Sequence, residues 1–226
     1  MPPSLPHPFG TDDLGRDLLA RCLFGLRSTL LVGFSVVGIS LVIGVIVGVV
    51  AGYFGGWIDE VIMRTTDIFL AFPGFLLAVT LAMIFSPGTT SAIIALSVTW
   101  WPWYARIARA ETASVRERDF VRAARTMGVS DARIISRHIA PNVMVPTQVQ
   151  ATQDLGAAIL AGASLGFLGL GTQAPAADLG RMINEARIGL LVGDWWLIVF
   201  PGALVYLAVI AAISAGDALQ SSTEIR

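Results

Sequence analysis

"LLVGFSVVGISLVIGVIVGVVAG", residues 30–52, carries no charged side chain, and the charge-free run around it extends from Ser28 to Ile58. A helix needs roughly 20 apolar residues to cross about 30 Å of hydrocarbon, so this stretch reads as a membrane span, with Tyr53 and Trp57 as interfacial anchors behind it. The rest of the chain agrees. Of its 226 residues, 55% are hydrophobic and only 14% charged, and mean hydropathy is +0.73, which excludes an ordinary soluble domain. The net charge of −1 offers no footing for nucleic acid. All fifteen basic residues are arginine, so a Walker-loop lysine and a Schiff-base lysine are both excluded. Cys22 is alone, which rules out an internal disulfide and a thiolate metal cluster.

Working outward, the next charge-free run, Ile68 to Ala105, would make a helix of roughly 57 Å, too long for one crossing. Ser86-Pro87-Gly88-Thr89 predicts a break, leaving spans over 68–86 and 89–106, the second ending in Trp100, Trp101 and Trp103. A fourth span is expected within 143–166. A fifth, over 195–216, opens on Trp195-Trp196 and contains Pro201-Gly202. Pro73 and Pro201 are expected to kink their helices. The fold class expected is an all-α membrane protein with five transmembrane helices. Gly44-x-x-x-Gly48 and Gly48-x-x-x-Gly52 permit close helix contact, within the chain or against a second subunit.

Arginine sets the orientation. Eight arginines lie between Arg106 and Arg137, and loops rich in Lys/Arg stay on the cytoplasmic side. That puts 53–67 and the C-terminus inside, with 86–90, 167–194 and the N-terminal 1–27 outside. An outer segment containing "GTDDLGRDLLAR" needs something to carry it across, and the expectation is a missing first helix. Within that segment Thr11 is expected to cap a short amphipathic helix, with Asp12 and Asp13 in its first turn. The chain thus divides into an outer-face segment, 1–27, and a transmembrane domain, 28–226, with a cytoplasmic loop over 106–141 and a periplasmic segment over 167–194. In the latter, "LGRMINEARIGLL" sets Leu179, Met182, Ile183, Ala186 and Leu190 on one helical stripe, as an interfacial or re-entrant helix would.

The arginine-rich loop carries the pattern that bears on function. "DFVRAARTM", 119–127, spaces Phe120, Ala123/Ala124 and Met127 as one apolar helix face, with Arg122 and Arg125 opposite. Gly128 is a natural residue just past a helix end. Ser130 and Asp131 can cap a second helix, "DARIISRHIA", expected to end at Pro141. Such a helix–Gly–helix element suits either docking into another protein's groove or lying on the anionic inner leaflet.

Ala123-Ala124-x-x-x-Gly128 followed by His138-x-x-Pro141-Asn142 resembles the EAA coupling loop of inner-membrane permease subunits of ABC importers. The runs Gly10-Thr11-Asp12-Asp13-Leu14-Gly15-Arg16-Asp17, Gly52-Tyr53-Phe54-Gly55-Gly56-Trp57, Ala71-Phe72-Pro73 and Ser164-Leu165-Gly166-Phe167-Leu168-Gly169-Leu170-Gly171 resemble the C-type permease of the dipeptide/oligopeptide/nickel branch. The similarity runs from about His7 to Gly216. It implies an ABC type I importer permease fold with a core of six helices, the first missing here, in a bacterial inner membrane.

The resemblance also implies partners. These are a homologous B-type permease, two cytoplasmic ATPases that bind ATP and magnesium, and a periplasmic substrate-binding protein, with no cofactor and no catalysis in this chain. The loop 116–140 would be the lever, with arginines 116, 118, 122 and 125 meeting acidic rims while Phe120, Ala123, Ala124 and Met127 fill a groove. Three positions depart from the pattern. Arg122 stands where the namesake motif has glutamate, and Gly162 and Gly166 stand where relatives commonly have Glu and Ser.

Asp154, in "QVQATQDLG", is an ionisable residue deep in a predicted span and so a functional candidate. With Gln150 and Gln153 it either lines the translocation path or pairs with a polar group of a partner and fixes packing. Rival classes have little behind them. A membrane enzyme lacks HExxH, GxSxG or paired-carboxylate motifs, and His7 and His138 are far apart. An ion-coupled carrier is expected to bury several charges and to show inverted repeats, whereas only Asp154 lies deep in a predicted span and no repeat stands out. Among substrates of the branch, peptides are preferred to nickel, glutathione or other solutes, because no His/Cys cluster favours a metal.

Overall fold

The computed structural model describes residues 1–224, which form helices joined by short connections. The first helix, α1, runs Leu18–Phe54. It starts ten residues before the expected span because Asp17, and not Thr11, caps it: the Asp17 carboxylate accepts from the Ala20 N–H at 2.8 Å. Thr11 instead pairs with Asp17 in an isolated β-bridge. At its far end α1 stops where Gly55 and Gly56 take φ of +65° and +57°, a region that excludes most side chains.

Residues expected as an inner loop form a helix, α2 (Gly56–Ala71). The expected span 68–86 is interrupted. Phe72 is extended, with ψ 144°, as the residue before a proline prefers, and α3 resumes only over Gly74–Ile84. Pro73 therefore divides the segment and does not merely kink it. Helix α4 runs Thr89–Arg116, a full ten residues past the expected end, so its tryptophans lie mid-helix.

The arginine-rich segment folds as α5 (Asp119–Thr126), α6 (Asp131–Ile134), a π-helical turn over Ile135–Ile139, and α7 (Ala140–Phe167). Pro141 does not end a helix, contrary to expectation. It is the second residue of α7, where a missing N–H is best tolerated, and the wider turns of the π segment lead into it. The outer stripe is two helices, α8 (Leu179–Glu185) and α9 (Arg187–Leu191), meeting at Ala186. Leu179, Met182 and Ala186 of that stripe are buried, whereas Leu190 is exposed. Last comes α10 (Trp196–Glu224), with Pro201 inside it.

By length and composition, α1 and residues Trp196–Ala218 of α10 can each cross a membrane, and α2 with α3 adds a third crossing if the broken pair counts as one. Helices α4 and α7, each 28 residues, are long enough but more polar.

The chain forms two compact units. In the unit made of residues 37–74 and 97–151, the glycine stripe of α1 meets α4. A Cβ on Gly52 would lie 2.6 Å from the Arg109 carbonyl oxygen and 2.7 Å from the Thr112 Cβ. One on Gly44 would strike Tyr104, and one on Gly48 the Ala105 carbonyl. The close contact that glycine spacing permits is thus made inside this chain. Around it Val45, Val49, Tyr53, Ala108, Val115, Val121, Ala124, Ile134, Ile139 and Val143 bury a common core.

The other unit comprises, among the described residues, 1–36, 75–96 and 152–224. Its core gathers Leu18, Cys22, Ala163, Leu179, Met182, Ala186, Trp196, Leu197 and Val205. Gly162 and Gly166 pack there. A Cβ at Gly162 would sit 2.8 Å from Val32 Cγ1, and one at Gly166 would collide with the Asp178 carboxylate. Larger residues at 162 and 166 do not fit beside Val32 and Asp178 as these stand.

Candidate functional site

Helix α5 is eight residues long, too short to persist on propensity alone. Its inward face holds it: Val121 and Ala124 are buried in the core described above. Its C-terminus is closed by a Schellman arrangement, in which the Val129 N–H donates to the Ala124 carbonyl at 3.1 Å and the Gly128 N–H to the Arg125 carbonyl at 3.0 Å. Gly128 has φ +76°, and nothing lies within 4 Å of where its Cβ would be, so glycine is required there by handedness and not by space.

The outward face carries Phe120, Ala123 and Met127, at i, i+3 and i+7. Phe120 is 43% exposed and Met127 75%. The Phe120 ring lies 6.1 Å from the His138 imidazole, centroid to centroid, so the apolar stripe continues onto the π segment. Asn142 donates to the His138 carbonyl at 2.6 Å, serving an acceptor that the irregular turn leaves open. Of the residues expected to face a partner, Ala124 does not: helical geometry turns it inward beside Val121 while Ala123 points out.

Three of the four loop arginines also have partners within this chain. Arg116 turns back to α1, donating to the Tyr53 carbonyl at 2.9 Å and the Gly52 carbonyl at 3.3 Å. There it neutralises the negative end of that helix. Arg122 donates to Glu117 at 2.8 Å. The Arg122 guanidinium, with Arg116 behind it, holds the exposed Glu117 carboxyl below the usual range. Arg125 lies over the Tyr53 ring, 5.5 Å from its centroid. Ser130 occupies the start of α6 without a side-chain cap bond. Asp131 beside it accepts the Tyr53 hydroxyl proton bond at 2.5 Å. Tyr53 is thus part of the site, although its place behind a span suggested only an interfacial anchor. The signal was in Gly52-Tyr53-Phe54-Gly55-Gly56, whose glycines end α1 and bring the tyrosine against the loop.

Along α2 and α4, Arg109 grips Asp59 with both nitrogens, at 3.0 and 2.5 Å, and Arg106 meets Asp67 at 2.6 Å. These pairs fasten α2 beside α4 in the same unit.

On α7, Gln150, Gln153 and Asp154 share a face by helical spacing. Asp154 is half-buried. The Gln153 side chain is already engaged, donating to Gln220 of α10 at 2.6 Å. At the outer end, Asp178 was not singled out by the sequence. It is 4% exposed and caps α8 by accepting from the Arg181 N–H at 3.0 Å. Burial pushes its carboxyl above the ordinary carboxylate value even though Arg181 and Thr172 donate to it. Thr172 in turn contacts Ser28 at 3.0 Å and Thr89 at 2.8 Å. Among the described residues no cluster of His, Cys, Asp and Glu could hold a metal ion.

The family model described as "Binding-protein-dependent transport system inner membrane component" matches residues 44–223. A dipeptide transport system permease protein of Alkalihalophilus pseudofirmus is 42% identical over 222 residues, covering 98% of this chain and 73% of that protein. A glutathione transport system permease protein of Escherichia coli O6:K15:H31 is 41% identical, with the same coverage of 98% and 73%. Among solved structures, the inward-facing MetNI methionine ABC transporter superposes with TM-score 0.70 at 22% identity, over 90% of this chain and 97% of that one. The fold is accordingly that of an ABC importer permease. With a helical membrane fold, a short amphipathic helix in an arginine-rich loop, and this match over most of its length, the chain belongs to the family of inner-membrane components of binding-protein-dependent transport systems.

Proposed function

We propose that this chain is one of two membrane subunits of an importer for dipeptides or short oligopeptides, driven by ATP hydrolysed in separate cytoplasmic subunits. The observation that carries the reading is the exposed stripe of Phe120, Ala123 and Met127 on a helix whose other face is buried. Exposed apolar side chains at i, i+3 and i+7 on a short helix are what a groove in another protein takes up. The lever reading of 116–140 follows: a partner ATPase that grips this stripe moves the core beneath it as a body. The peptide assignment rests on relatives named for dipeptide and glutathione transport, both built on peptide-like backbones. ATP and magnesium belong to the ATPases, and a periplasmic binding protein delivers the substrate to this chain and a homologous B-type permease.

Met127→Cys and Ala123→Cys, each joined by a short crosslinker in the assembled complex, should reach the ATPase subunit. A transport-competent complex in which neither does so removes the lever reading. A ligand screen on the cognate binding protein tests the substrate class, and a binder of metal or sugar with no affinity for peptides overturns it. Asp154 stands as the candidate for the translocation path, supported by a half-buried carboxylate within a helix of the membrane domain.

A further inference from the structure

The loop 116–140 is covalently joined to α4 and α7 alone, so a pull on it reaches α1 only through noncovalent contacts. Val45 and Val49 supply the apolar ones, and the polar ones converge on Tyr53. Its hydroxyl donates to Asp131 at the start of α6. Its ring lies beneath the Arg125 guanidinium of α5, and its carbonyl accepts from Arg116 at the end of α4. One residue of α1 is thus held by groups from three elements of the site. The ring is 4% exposed, and tyrosine has few rotatable bonds, so little slack separates the hydroxyl from its helix. Behind it, Gly52, Gly48 and Gly44 seat α1 against α4 with no room for a Cβ.

We infer that Tyr53 is a positioning residue for transport: its bond to Asp131 and its stack under Arg125 make α1 follow the loop when the loop is moved. This rests on the lever reading given above. Packing of Val45 and Val49 in the shared core holds α1 against the loop, and the bond to Asp131 adds direction to that contact. Removing the hydroxyl leaves the packing in place and takes away the directional part of the link.

The test uses the assembled complex in nanodiscs, with an environment-sensitive dye at either Arg133→Cys, on the loop and outside the docking stripe, or Val42→Cys, on the exposed face of α1. ATP is added, and emission is read at each site. In the parent complex both dyes should respond. With Tyr53→Phe the Arg133 dye should respond as before, while the Val42 response falls several-fold, on the order of the factor that one hydrogen bond represents in an equilibrium. Asp131→Asn, which keeps an acceptor oxygen, should retain most of the Val42 response. Combining Tyr53→Phe with Asp131→Ala should be no worse than either alone.

An unchanged Val42 response in Tyr53→Phe overturns the inference, as does a silent Val42 dye in the parent beside a responding Arg133 dye. An Arg133 dye silent in the parent defeats the lever reading itself. Should Tyr53→Phe fail to assemble, Asp131→Ala breaks the same bond from the exposed side and is read by the same criteria.

Discussion

The glycine seam between α1 and α4 gives the sharpest stability prediction. Gly48→Ala adds one carbon where Ala108 Cβ would lie at 2.7 Å and the Arg109 nitrogen at 2.9 Å, with the Ala105 carbonyl nearer still. Carbon atoms rest at about 3.5–4.0 Å, so the two helices must part locally by about 1 Å. The obstructing atoms are largely backbone, so no side-chain rotation relieves them. Overpacking of this kind costs about 1–3 kcal/mol. On the scaling for chains of this size, the melting midpoint falls by about 2–12 °C. Gly38 lies on the same helix with nothing within 4 Å of its Cβ position, and Gly38→Ala should leave the midpoint unchanged or raise it slightly by reducing backbone entropy. Thermal unfolding of both variants, purified in the same detergent, decides the matter. Equal midpoints for Gly48→Ala and Gly38→Ala would refute the reasoning, because composition is identical in the two and only proximity to α4 differs.

Other predictions follow from exposure and charge. Thiol-specific maleimide should label Ala123→Cys and Met127→Cys in the folded chain but leave Ala124→Cys and the buried native Cys22 unmodified, with mass spectrometry as the measure. Asp178→Ala should lower the melting midpoint by about 4–8 °C, roughly 2 kcal/mol for a lost cap and unpaired N–H groups, whereas Asp178→Asn keeps an acceptor and should lose less. Burial raises the Asp178 carboxyl, so the folded state favours its neutral form. Its contribution to stability is full in acid and declines as pH rises from the ordinary value of 3.8 toward the raised one. Melting across that window should show a decline that Asp178→Asn abolishes. For Asp154→Asn, uptake by the complex should drop if the carboxylate lines the path, and unchanged uptake with normal assembly ends that idea.

Much of the fold is written in charge and hydropathy. The charge-free runs located α1, α4 and α10, because placing a charge in hydrocarbon is costly enough to leave a clear gap in the sequence, and α7 was found despite Asp154 inside it. Boundaries were less legible. Asp17 caps α1 through a side-chain bond that looks no different in sequence from the bond Thr11 was expected to make. The interruption at Phe72-Pro73 lay inside an apolar run, where hydropathy is blind to backbone geometry. In the site, helical spacing grouped Phe120, Ala123 and Met127 correctly. It could not separate Ala123 from its neighbour Ala124, since both are small and apolar and only the position of the core distinguishes them. Tyr53 and Asp131 are 78 residues apart, and no local pattern links residues that tertiary packing brings together.

Gly128 shows how little chemistry some positions hold. With open space around it and a backbone turned against the natural hand of L-amino acids, the position selects for the absence of chirality alone. A D-alanine placed there by semisynthesis would be welcome where its mirror image is not, and neighbouring side chains are free to drift as long as this one achiral joint persists.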